Sequence, residues 1–112
     1  MQRFWFSMAG LCGALAVGLS AIAAHVALDS RAMVQTVAML LGWHAPALIA
    51  LGLWNERRGN WVAGVLLLGL TLFGVAVMFR AFAEVSLGPV APIGGMTMMG
   101  GWLLLAVLAW RR

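Results

Sequence analysis

With 112 residues, 64% hydrophobic and only 9% charged, the chain carries more apolar surface than a soluble domain of its size can bury. Typical soluble domains are about 45–50% apolar and about 25% charged, so lipid has to cover the excess and the chain is expected to be an integral membrane protein. The formal net charge of +4 comes from arginines that lie between apolar runs rather than along one face, which argues against a nucleic-acid surface and for topology signals and anionic-lipid contacts.

The first uncharged run is Phe4 to Leu28, the second Ala32 to Trp54, and the third Trp61 to Phe79, ended by Arg80. The last is Val85 to Trp110, interrupted by Pro89, Pro92 and the pair Gly94-Gly95. A spanning helix needs about 20 apolar residues, so the first three runs qualify directly. The fourth reads as helical from near Gly94, with the preceding Pro/Gly segment dipping into the membrane against the other helices. The expectation is a single membrane domain over residues 1–112. It is an all-α, four-transmembrane-helix bundle with short loops and helices at approximately 4–28, 32–54, 61–82 and 94–110. A secretory signal peptide is the rival reading of residues 1–30, with Arg3 as its basic region and Ala21-Ile22-Ala23 as a cleavage site. The first run exceeds the roughly 7–15 residues of a signal's apolar region, which favours a true first helix.

Charge sets the orientation. With four spans, the N-terminus, the 55–60 loop and the C-terminus share one side, which carries Arg3, Arg57, Arg58, Arg111 and Arg112. The other side has Arg31 and Arg80, each near an acid, Asp29 or Glu84. The positive-inside rule places both termini in the cytoplasm. Trp5, Trp54, Trp61 and Trp110 all fall at the cytoplasmic helix ends, as interfacial anchors of one aromatic belt.

Helices 1 and 2, and helices 3 and 4, are expected to be antiparallel neighbours. Gly10, Gly13, Ala14, Gly18, Ala21 and Ala24 in helix 1, Gly64, Gly69 and Gly74 in helix 3, and Gly95, Gly100 and Gly101 in helix 4 suit close helix packing in lipid.

Polar residues within spans are the candidate functional residues. At about 1.5 Å per residue from the tryptophan belt, His44 and Thr71 lie roughly 15 Å deep and Trp102 about 12 Å deep. Together they suggest one polar layer at the midplane. His25, roughly 30 Å from the belt, Gln35 and Arg80 suggest a second layer at the far interface. Pro46, just after His44, is expected to kink helix 2. His25 and His44 differ by about 15 Å in depth, too far to share one haem iron. The bland reading of His44 is a hydrogen-bonded core histidine, and of His25 an interfacial cap or loop tie.

Cys12 is the one cysteine, so no intrachain disulfide forms, and it reads as a small buried hydrophobe. Met96, Met98 and Met99 read as filler rather than as a copper cluster. There is no Ser/His/Asp set, no carboxylate pair within a span and no phosphate-binding glycine loop. The chain is therefore expected to be no enzyme, with no cofactor, no metal and no soluble substrate.

The segment Ala91-Pro92-Ile93-Gly94-Gly95, followed by Gly101-Trp102, resembles the motif of the domain of unknown function 423 family. These are small four-helix inner-membrane proteins, with transmembrane protein 256 as a eukaryotic relative. The resemblance extends to Ser20-Ala21-Ile22-Ala23-Ala24-His25, to His44-Ala45 and to Phe73-Gly74. Ser20 and Ala23 stand where glycine is usual in that family, Trp43 where tyrosine is usual, and Val75 where a small polar residue is common. The resemblance implies four helices and a membrane location, and no reaction. The leading functional expectation is an accessory or structural subunit that packs against partner subunits of a larger membrane complex. An energy-transducing electron-transfer complex is the suggested type. The alternative is a small transporter or channel with a polar midplane site around His44.

Overall fold

The computed structural model describes residues 2–26 and 28–110, and the side chains of all of these except Leu28 and Asp29. Arg111 and Arg112, part of the cytoplasmic charge expected from the sequence, lie outside the described residues. So does the side chain of Asp29.

Four helices run up and down: α1 (Gln2–Ala23), α2 (Leu28–Trp54), α3 (Arg57–Ala83) and α4 (Val90–Leu108). All four are long and apolar enough to cross a membrane. In hydrocarbon every backbone N–H and C=O has to be satisfied within the segment, which is why uninterrupted apolar runs become helices. No strand occurs among the described residues.

The boundaries differ from the hydropathy reading in a consistent way. α2, α3 and α4 each begin four residues earlier than expected, because an apolar run marks where the chain meets lipid, not where helical hydrogen bonding starts. Arg57, Arg58 and Pro92 all sit in first turns, and proline is tolerated there because its missing N–H would have had no helical partner. Gly94 and Gly95 are thus inside α4 rather than at its entrance.

α1 instead stops short, at Ala23 rather than 28. The chain closes a tight turn in which Ala24 N–H donates to Ala21 O (3.2 Å) and His25 N–H to Ile22 O (2.9 Å). Arg31 reaches back from α2, and its Nε donates to the carbonyl of Ala23 at 3.1 Å. A cation on the last carbonyls satisfies acceptors that lack helical donors and complements the helix dipole.

The other two turns use left-handed residues. Asn55 (φ 53°) links α2 to α3, and Glu84 (φ 55°) ends α3 with its N–H donating to Phe79 O. Asparagine tolerates this conformation. α2 runs unbroken through Pro46.

α2 and α3 form the central pair, with α1 laid against α2 and α4 against α3. Val34, Leu48, Val62 and Leu66 are fully buried between them. α1 turns Trp5, Ala9, Cys12, Ala16 and Ala23 inward, at helical spacing.

α3 and α4 approach to backbone contact. A Cβ placed on Gly94 would lie 2.5 Å from the backbone nitrogen of Phe73, and one on Gly69 would lie 2.7 Å from that of Met98. Only glycine at both positions lets the two backbones touch. Of the glycines expected from the sequence to serve close packing, Gly69 and Gly101 do so within the bundle, whereas a Cβ on Gly64, Gly95 or Gly100, or on the glycines of α1, would meet nothing within 4 Å. Gly10, Gly13 and Gly18 face open space, because α1 meets its neighbours through alanines and Cys12.

Candidate functional site

Among the described residues His44 is the buried polar side chain of the core, 3% exposed. α2 places it four residues after Leu40, whose carbonyl lies 2.7 Å from Nδ1. Trp102, from α4, donates its indole N–H to His44 Nε2 at 3.2 Å, with the two rings tilted 60° and 5.7 Å apart. An indole N–H only donates, so Nε2 is the acceptor and the imidazole proton sits on Nδ1, donating to Leu40 O. Both ring nitrogens are therefore engaged. The pair ties α2 to α4, which the backbone packing alone leaves apart.

Thr71 does not join them. Its hydroxyl donates to Leu67 O at 2.8 Å within α3, and its side chain faces an apolar groove between α1 and α3. The expected three-residue midplane layer is thus a two-residue contact. Depth along a helix was legible in the sequence, but the direction around the helix axis was not.

At the opposite interface Arg80 and Glu84 line a polar cleft of about 250 Å³ with Ser30, Met33 and Ser86. Ser30 Oγ donates to Ala81 O at 3.1 Å, tying the start of α2 to the end of α3. His25 lies exposed in the turn after α1 and does not line this cleft. Gln35 is also exposed. Pro92 is exposed in the first turn of α4, and Gly94 is buried against α3, whereas a Cβ on Gly95 would meet nothing within 4 Å.

The four belt tryptophans divide by role. Trp61 and Trp110 are 67% and 90% exposed, as interfacial anchors are. Trp54 lies beneath the Arg58 guanidinium, 5.3 Å from its ring. Arg58 also pairs with Glu56 and donates to Leu108 O at 3.0 Å, which caps the end of α4. Trp5 departs from the anchor role. It is 3% exposed, and its Nε1–H donates to Asn60 Oδ1 at 2.8 Å, joining α1 to α3. Sequence reasoning missed Asn60. The available signal was an amide directly before Trp61, on the loop side of the tryptophan belt and at the edge of an apolar run.

Among the described residues no three His, Cys, Asp or Glu side chains are grouped to hold a metal.

The family model described as a protein of unknown function (DUF423) matches residues 19–95, well over half of the chain. The inner membrane protein YgdD of Escherichia coli strain K12, of the UPF0382 group, is 30% identical over 120 aligned positions, covering 98% of this chain and 92% of its own. A UPF0382 membrane protein of Staphylococcus epidermidis strain ATCC 12228 is 28% identical over 115 positions, covering 95% and 94%. The UPF0382 membrane protein SH2409 of Staphylococcus haemolyticus is 25% identical over 116 positions, covering 95% and 94%. No solved structure matches the chain.

Proposed function

Because the chain belongs to the DUF423 family of small inner-membrane proteins, we propose that it acts through membrane contacts, as a non-enzymatic accessory subunit packed against a larger membrane complex. The observation that carries this reading is the outer face of α1. Gly10, Ala14 and Gly18 recur every four residues there, all exposed, and a Cβ on either glycine would meet nothing within 4 Å. Elsewhere the chain uses glycine for backbone contact, at Gly69 and Gly94. Small residues gain little by facing lipid tails, but they let a second helix backbone approach closely. α1 therefore offers a partner helix the same kind of surface that α3 offers α4.

The test is purification of a tagged copy from mild detergent, read by intact-complex mass. A partner retained in fixed ratio is expected, with energy-transducing electron-transfer complexes among those to search for. Gly10→Leu and Gly18→Leu are expected to lose the partner while keeping their own helical content. Recovery of the wild type without a partner under every condition overturns the reading.

The transport alternative centred on His44 has less support. Both ring nitrogens are held, and Thr71 faces elsewhere. Flux through liposomes that His44→Ala abolishes would restore it.

A further inference from the structure

A groove of about 410 Å³ runs along the exposed face of α3 at the tryptophan-rich end, lined by Arg57, Asn60, Trp61, Gly64, Val65 and Leu68. It is polar at one end and apolar beyond. Arg57 to Leu68 is eleven residue steps, about 16 Å along the helix. From Trp61, at the belt, to Leu68 is about 10 Å, roughly two-thirds of one leaflet of a 30 Å hydrocarbon core. The groove thus has the polarity of one phospholipid and reaches along its headgroup and upper acyl chains: a headgroup region at Arg57 and Asn60, then an apolar wall. Gly64 forms the notch in that wall, since a Cβ there would meet nothing within 4 Å.

The charge at this end selects the occupant. Its described charged side chains are Arg3, Arg57, Arg58 and Glu56, and the one acid is paired with Arg58. Arg57 is exposed and makes no hydrogen bond or ion pair with the described residues. Asn60 is held by its Oδ1, which accepts from the Trp5 indole. Its Nδ2 hydrogens have no protein acceptor among the described residues and remain able to donate. A guanidinium and an amide NH₂ at headgroup depth recognise a phosphate and an ester or hydroxyl oxygen. The positive-inside rule assigns this end to the cytoplasmic leaflet, where acidic lipids attract basic residues.

We propose that the Arg57–Leu68 groove of α3 binds one anionic phospholipid of the cytoplasmic leaflet, its phosphate on Arg57 and Asn60 and one acyl chain over Gly64.

The test is native mass spectrometry of the whole protein in mild detergent, titrated with phosphatidylglycerol or with phosphatidylcholine of the same chains. The wild type is expected to retain one phosphatidylglycerol under activation that strips phosphatidylcholine. Arg57→Gln is expected to weaken retention about tenfold, the scale of one charge-assisted pair near 1.4 kcal/mol. Gly64→Leu fills the notch, leaves every charge in place and is expected to weaken retention as well. Both positions face away from the core, and circular dichroism checks that the helices form. Arg3→Gln removes the same charge outside the groove and is expected to have little effect. Equal retention of the two lipids, or equal losses from Arg3→Gln and Arg57→Gln, overturns the site in favour of diffuse attraction. Displacement of the lipid by millimolar inorganic phosphate, with Gly64→Leu silent, overturns the acyl-chain half and leaves a phosphate contact alone.

Discussion

Trp102 on α4 donates its indole N–H to Nε2 of His44 on α2, 3.2 Å away, across a bundle in which α2 and α4 otherwise barely touch. Because His44 is buried, removing the donor leaves an acceptor with neither water nor protein to satisfy it. Trp102→Phe is expected to cost about 0.5–2 kcal/mol, the range for such bonds within membranes. A double-mutant cycle with His44→Leu, followed by detergent-titrated unfolding, is expected to show coupling of similar size. Additive losses would mean that the two rings do not act together.

Gly94 and Gly95 are adjacent in sequence and opposite in environment. Gly94→Ala drives a Cβ into the backbone of Phe73 and Gly69, which cannot move aside as a flexible side chain would. The expected loss is about 1–3 kcal/mol. Gly95→Ala meets open space within a helix and is expected to gain up to about 1 kcal/mol. Unfolding midpoints of the two variants decide this. Equal effects would contradict the α3–α4 contact.

Trp5 and Asn60 close the bundle at the tryptophan-rich end. Asn60→Leu strands the buried indole N–H, with an expected loss of about 1–3 kcal/mol. In a Trp5→Phe background the same change is expected to cost much less, because no donor is left without a partner. An undiminished loss in that background would place the role of Asn60 elsewhere.

Orientation is open to a direct test. Arg3 and Arg57 mark one end of the bundle, Glu84 and Ser86 the other. If the arginine-rich end is cytoplasmic, Ser86→Cys in intact cells reacts with a membrane-impermeant maleimide and Arg3→Cys does so only after lysis. Cys12 is buried within a span and is expected to stay silent in both. The reverse labelling pattern would invert the protein in the membrane.

The sequence by itself determined the number of spans, their order, the basic end and the depth of His44 and Trp102. Those quantities depend only on where apolar runs start and stop, and on a fixed rise per residue. Tertiary structure decided how each helix is rotated about its axis. That rotation brings Trp102 to His44 while turning Thr71 away, puts Gly69 and Gly94 into contact while leaving Gly10 and Gly18 bare, and buries Trp5 while exposing Trp61. In a soluble helix the polar face announces the rotation, because water and core differ. Here lipid and core are equally apolar, so residues on both faces look alike in sequence. Only backbone fit and a few hydrogen bonds separate inside from outside.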